Sequence, residues 1–463
     1  NLTVSLGGLM REKMNRQLSI FDLTYKSAIA KELKVISGIL DQTPEILDAV
    51  YRDLLQGRRD DTGRSGMSAD QVLRCVILKQ YRELTYEELA FYLEDSRAFR
   101  SFARLEMGQY PGKSILQENI KSLTEETWQK LHCLILKYAA GAKIETGKKV
   151  RVDSTAIETN IHRPTDSSLL WDGIRIMTRW LVEGHQLRHR PDYQFSDHRR
   201  MTKKRSMTIL NTRKNETRVA AYRDLVAVAQ KVRAYALEAI PVLGKYNNGN
   251  FPDGCTAHLL AQKLERALSI LTKVVDQTER RVFHNETVPA SEKIISFFEV
   301  HSDIIVKSRR DTEYGHKVFF TGGASNMILD CIIPYGNPAD SDQYSELLTR
   351  HHEQYGTMPR QISADGGFAS KGNLAFAKGC QVKDVVFAKR RGLAVLDMAK
   401  SNWVYKKLKS FRAGIEANIS ALKRRFGLSR CTWAGWRGFR RYVWSNVVSY
   451  NLLVLARIQL AEA

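Results

Sequence analysis

The sequence predicts an α/β protein: a mixed sheet with helices packed on it, interrupted by a helical insertion and preceded by an all-α region. Three observations carry this. Helical periodicity fills residues 1 to about 145, strand texture opens abruptly at Lys148, and a second helical stretch from Trp171 to about Ser291 gives way to strands and then to alternating helices and strands. With 463 residues, 43% of them hydrophobic, the chain can bury two or three cores. The expected division is a helical N-terminal domain over residues 1–145, a sheet core over 146–170 and 292–460, and a helical insertion over 171–291.

Taken in order, residues 68–81 place Val72, Cys75, Val76 and Leu78 at helical spacing, and residues 85–93 open with Thr85 and Glu88 in capping-box spacing. Residues 114–123 repeat that device with Ser114 and Gln117. Short helices joined by tight turns suit a helix-turn-helix-like DNA-binding unit, and a plain helical bundle gives the same periodicity. KKVRVDSTAIETN alternates and is β-branched, a strand signal. YRDLVAVAQKVRAYALEAI and AHLLAQKLERALSILTKVV are helical, and SDIIVKS (302–308), HKVFFTG (316–322) and MILDCII (327–333) read as strands. A helix at 344–355, a strand at 361–364, a helix at 371–378, a strand at 384–388 and a helix around Glu416 complete the pattern. No internal repeat or low-complexity linker is visible.

The formal charge of +22 and a pI near 9.7 arise from Lys and Arg spread through all thirds of the chain. A polyanionic partner follows, with nucleic acid ahead of a membrane surface. Charge interrupts every apolar run before the ~20 residues a bilayer span needs, and no signal-peptide pattern opens the chain, so a cytoplasmic protein is expected. The chain begins at Asn1, with Met10 and Met14 as alternative beginnings. Six cysteines are scattered singly, without CxxC or zinc-finger spacing, which predicts free, mostly buried thiols.

Three acids stand out by position. Asp153 ends the apolar run of the first strand, and Asp365 ends a later one, before Gly366 and Gly367. Strand ends in a helix-flanked sheet form the rim where ligands bind. Glu416 is the lone acid of the basic stretch between Asp397 and Glu462, beside an apolar stripe of Ile415, Ile419, Leu422 and Phe426 and on one face with Arg412 and Lys423. That position is expected to border the core. Converging carboxylates repel unless a cation sits between them, and hard oxygen ligands suit Mg²⁺ or Mn²⁺. Two such ions, about 3.5–4 Å apart, serve phosphodiester displacement. Each acid also has an ordinary reading: Asp153 and Asp365 as turn residues, Glu416 as the i,i+4 partner of Arg412. Glu158, Asp166 and Asp172 are nearby competitors for the first position.

In order along the chain, VRVDSTAIETNIHRPTDSSLL, ISADGGFAS and RAGIEANISALKRRFG resemble the three blocks of the DDE transposases of bacterial insertion sequences, which have an RNase H-like catalytic core. MSADQVLRCVILKQYRELTYEELAFYLEDSRAFRSFARL is similar to the helical domain that precedes that core, and the likeness is greatest to the group with a long insertion after the first catalytic strand. The resemblance implies a metal-binding triad of Asp153, Asp365 and Glu416, with Arg412 and Lys423 contacting substrate phosphates. Where the family signature has Tyr, three residues before the Arg, this chain has Lys409. Implied too are metal-dependent hydrolysis at the element's ends, strand transfer to target DNA without a covalent enzyme intermediate, and assembly as a dimer or larger complex on double-stranded DNA carrying terminal inverted repeats.

Two basic stretches remain. Residues 185–218 hold ten Lys and Arg against three acids, which favours DNA contact through Arg199, Arg200, Lys203 and Lys204. RRFGLSRCTWAGWRGFRRYVW interleaves Arg with Trp433, Trp436 and Trp444, which suits either base stacking or core packing. The alternatives to a transposase are a metal-dependent DNA nuclease on the same core and a catalytically decayed DNA-binding protein. A tyrosine recombinase is disfavoured, because no Arg and His constellation surrounds a late Tyr.

Overall fold

The computed structural model describes Lys13 and residues 27–56, 66–247, 249–306 and 312–462; Met10, Met14 and the end of the 302–308 segment lie outside these. The chain forms two compact units, Asn1–Thr159 with His316–Ala463, and Asn160–Gly315.

Among the described residues the first unit opens with seven helices: α1 (Ala28–Asp41), α2 (Glu45–Leu55), α3 (Ala69–Tyr81), α4 (Tyr86–Asp95), α5 (Arg97–Phe102), α6 (Lys113–Ser122) and α7 (Glu125–Gly141). Side-chain caps begin most of them. Ser68 and Gln71 form a reciprocal box on α3, and Thr85 with Glu88 does the same on α4, as the spacing predicted. The cap expected at Ser114 is not formed. Gly112, extended after Pro111, caps α6, and Ser114 already lies inside the first turn. Every residue of α3 is buried, and α4 carries Glu87, Glu88, Glu94 and Asp95 without a single Lys or Arg. The pair packs as bundle helices, and α4 would repel phosphate.

Strand β1 (Lys149–Glu158) follows, and the chain then enters the second unit through α8 (Asp166–His185), α9 (Arg199–Asn211), α10 (Asn215–Gly244) and α11 (Phe251–Val282). The helical stretch starts at Asp166, five residues before the position read from the sequence, because Thr165 caps α8. Leu170, Ile174, Leu225, Leu264 and Leu271 belong to this unit's own apolar core. Strand β2 (Asp303–Val306) pairs antiparallel with the start of β3 (Thr312–Gly322), from Asp303 opposite Gly315 to Val306 opposite Thr312.

Back in the first unit come β4 (Ile328–Ile332), α12 (Asp340–Tyr355), β5 (Gln361–Ala364), α13 (Lys371–Gly379), β6 (Asp384–Phe387), α14 (Val395–Met398), α15 (Asn402–Arg425) and α16 (Gly435–Glu462). The strands run in the order β3, β1, β5, β6, with β4 antiparallel on β3 and the β1, β5 and β6 neighbours parallel. Alternation along β1 sorts its side chains: Val150 and Val152 enter the core, while Lys149, Arg151 and Asp153 meet α15 on the other face.

The last helix was not anticipated as one. Every residue of α16 from Tyr442 to Leu453 is buried, so the helix is enclosed all round and its residues mix with those of the N-terminal helices and the sheet in a single core running from Leu33 to Ala456. Gln80 donates to Ser445 (2.6 Å), and buried Asn451 grips the backbone of Ile328 in both directions, accepting from its N–H (2.8 Å) and donating to its carbonyl (2.7 Å). Trp433 and Trp444 are core residues, and Trp436 is half-buried. Of the cysteines, Cys75, Cys331 and Cys431 are buried, Cys133 and Cys380 half-buried and Cys255 exposed, all free. Among the described residues no helix is long and apolar enough to cross a membrane.

Candidate active site

Parallel pairing of β1 with β5 ends at Val152 opposite Ala364, so the next residue on each strand, Asp153 and Asp365, stands at the same level of the sheet. Asp153 does not end its strand. β1 runs five residues further, and Asp153 is placed instead by the end of its neighbour β5. Asp365 leaves the sheet in extended conformation and starts a single 3-10 turn at Gly366–Phe368. Close approach requires the first glycine and crowds the second. A Cβ on Gly366 would lie 2.7 Å from the Lys389 Cβ, and one on Gly367 would lie 2.4 Å from an Asp340 carboxylate oxygen.

α15 brings the third acid. Its stripe of Ile415, Ile419, Leu422 and Phe426 is buried as predicted, but Glu416 is not at the core border. Its side chain is 56% exposed, because one position past Ile415 rotates it about 100° towards solvent. Arg412, one turn earlier, joins the set. Its Nη1 donates to Asp153 (3.3 Å) and lies 3.7 Å from Asp365, and its Nη2 donates to Glu416 (2.5 Å). Three carboxylates from β1, β5 and α15 therefore share one guanidinium.

Burial is the main cause that lifts the Asp153 carboxyl from the ordinary 3.8 up to about 6, and the Asp365 and Glu416 charges add to it. The Ser154 N–H, donating at 2.8 Å, and Arg412 oppose the rise without cancelling it. Among the described residues no three His, Cys, Asp or Glu side chains stand as a ready-made ion cage. The donor set is nevertheless oxygen only, drawn from three elements onto one positive centre, which is the chemistry hard divalent cations accept.

Lys423 projects from the same helix, and its ammonium donates to the Ala156 carbonyl of β1 (2.8 Å). Lys409 is exposed on α15. Two of the competing acids have other partners, Asp166 bonded to Arg281 and Gln277 and Asp172 to Arg175, while Glu158, at the end of β1, pairs through its backbone with Ser429 and Cys431. In the second unit Arg199 forks onto Asp197, while Arg200, Lys203 and Lys204 are exposed.

Two neighbours of the site were missed in the sequence. Arg151, buried beneath α15, donates to Asn326 (2.7 Å), Asn418 (3.3 Å) and the Phe411 carbonyl (3.4 Å). The alternation of VRVD was its signal, since it places Arg151 on the face of Asp153. Asp340 accepts from Ser154 (3.3 Å) and Lys317 (3.1 Å), and nothing in the local sequence marked it.

Asp153 on β1, Asp365 just past the end of β5 and Glu416 on α15 thus meet at one end of a mixed sheet that, with the helical N-terminal region, has the make-up of an RNase H-like core. Residues 274–452 match the family model described as the transposase DDE domain. Asp365, Arg412, Glu416 and Lys423 lie inside the match, and Asp153 precedes it. The family consists of DNA-cutting and DNA-joining enzymes that use divalent metal ions. Comparison with curated proteins and with solved structures gave no match.

Proposed function

We propose that this chain is the transposase of a bacterial insertion sequence, cutting DNA at the element's terminal inverted repeats and transferring the freed strand to target DNA. One observation carries the reading: Asp153, Asp365 and Glu416, far apart in sequence, converge on Arg412. Asp153, Asp365 and Glu416 would hold two Mg²⁺ or Mn²⁺ ions, which when bound activate the attacking oxygen and stabilise the leaving one.

The chain's own residues supply the rest. Arg412 is held mostly out of solvent beside all three acids, placed to neutralise phosphate oxygens at the cut by charge-assisted hydrogen bonds. Lys423 extends from the same helix to the end of β1, where it can serve the adjoining phosphate. Arg199, Arg200, Lys203 and Lys204 of α9 add a phosphate-contacting surface, weakest at Arg199 because Asp197 already neutralises it. The helical N-terminal region contributes to DNA binding as part of the first unit. The working form is a homodimer or larger oligomer on DNA, in the cytoplasm and associated with the nucleoid.

The test is cleavage and joining of a labelled fragment carrying the element's ends, in Mg²⁺ or EDTA, by the wild type and Glu416→Ala. Metal-dependent cutting and joining that Glu416→Ala loses while DNA binding persists supports the proposal. Cutting without joining points to a nuclease, and binding without cutting in either protein points to a decayed DNA-binding protein.

A further inference from the structure

The helix that carries Glu416 also carries a surface to which no role has been given. At 100° per residue, Asn402, Lys406, Lys409, Ala413 and Glu416 fall within about 80° of one another, and Trp403, Lys407 and Ser410 continue the same side. All eight are exposed, and Glu416 is the only acid in α15. Trp403, 67% exposed, stands about 100° round the helix from Asn402, with the Lys407 ammonium 4.8 Å from its ring. An ordinary solvated helix face alternates charge signs and hides its tryptophans. This one does neither.

A second basic segment flanks it. The Tyr405 hydroxyl donates to the Phe387 carbonyl (3.2 Å), tying α15 to the end of β6, and the chain leaving β6 is Ala388, Lys389, Arg390, Arg391. Lys389 packs against Gly366, next to Asp365, and Arg390 and Arg391 are exposed. Between Lys389 and Phe411 the chain has seven Lys and Arg and one acid, Asp397. Among the described residues Arg390, Arg391, Lys406, Lys407 and Lys409 make no ion pair. Lys149, beside Phe411, is pushed below the usual lysine range first by burial, with the Lys407 and Arg151 charges adding to it.

From this geometry we infer that Arg390, Arg391, Lys406, Lys407 and Lys409 form a phosphate track that grips the duplex DNA backbone leading away from the acid site. From Trp403 to Glu416 the helix rises about 20 Å, roughly the axial length of six base pairs. Lys406, Lys407 and Lys409 cluster within about 5 Å of that rise, and Arg390 and Arg391 extend the positive charge along the chain that leaves β6. Lys409, standing where the resemblance leads one to expect Tyr, is the member of the track nearest Glu416. The inference rests on the reading of DNA as substrate.

The experiment uses the full chain and a duplex carrying the element's end, and compares the wild type with a Lys406→Gln/Lys407→Gln/Lys409→Gln variant. Affinity is measured across a salt series, cleavage in Mg²⁺ separately. The three lysines are exposed, so melting should match the wild type. The expected result is a plot of log affinity against log salt shallower by roughly 2–3, at about 0.9 for each phosphate no longer neutralised, and restored by Lys→Arg at the same three positions. An unchanged slope in a variant that still cuts overturns the track and leaves the transposase reading intact. A shallower slope when even the wild type fails to cut supports the track and removes that reading. A change in sedimentation with no change in slope would mean that the face docks a second copy of this chain, and would also overturn the inference.

Discussion

At the scale of single residues the site is a problem of charge balance, and Arg412 is what solves it without a metal. Three carboxylates from separate elements cost the fold their mutual repulsion unless a cation lies among them. Arg412→Ala should therefore lower the melting temperature by several degrees in EDTA, and Mg²⁺ should restore most of the loss, because the ion replaces the guanidinium as counter-charge. A loss that Mg²⁺ leaves untouched would mean that Arg412 acts by packing alone. Asp153 makes the second prediction. Its carboxyl is raised in the folded chain from 3.8 to about 6, so the folded state prefers the protonated acid. The stability this contributes is fully present below pH 4 and is lost as pH rises through 6; about two pH units correspond to roughly 3 kcal/mol at most. Asp153→Asn, which cannot ionise, should equal the wild type near pH 4 in EDTA and exceed it at pH 7.5 by about 1–3 kcal/mol. Chemical denaturation at the two pH values checks it, and equal gaps at both would remove the titration argument.

At the scale of elements, function depends on how closely α15 lies on β1. Gly414 permits the approach, since a Cβ there would come 1.5 Å from an Arg151 guanidinium nitrogen. Arg151 cannot simply swing away: it is buried and bonded to Asn326, Asn418 and Phe411. In an exposed helix Gly→Ala stabilises by about 1 kcal/mol; here Gly414→Ala should destabilise by roughly 1–3 kcal/mol through overpacking. Urea denaturation gives the sign directly. Weaker DNA cutting should accompany the loss, because Arg412 and Glu416 sit two residues either side of Gly414. Much at this scale was legible beforehand. The α15 stripe, the β1 alternation and the α4 capping box are local periodicities, and each formed as read. Ser114 failed as a cap because the start of α6 was decided by the extended backbone at Gly112, not by the local motif.

At the scale of the molecule, α16 is the element that makes the first unit one body. Its residues share a core with α3, α7 and β4, so the N-terminal helices have no complete core without it. A chain ending at Ala434 should leave residues 27–145 without cooperative melting, and a fragment of those residues alone should likewise fail to melt cooperatively in calorimetry. A sharp transition in that fragment would show that the helices fold independently. The buried Asn451 fork offers a milder probe: Asn451→Leu strands the Ile328 N–H, leaves its carbonyl to His132 Nε2 (3.0 Å) alone, and should cost about 1–3 kcal/mol.

The sequence by itself determined the fold class, most of the strands and helices, and the three acids as candidates, because periodicity and strand-end position are encoded within a dozen residues. Only the tertiary structure decided that Arg412 is shared by all three acids, that Glu416 faces solvent, that Arg151 and Asp340 stand beside the site, and that α16 lies inside the core. Each of those depends on side chains separated by up to hundreds of residues, whose distances follow from how the sheet and helices pack and not from any local pattern.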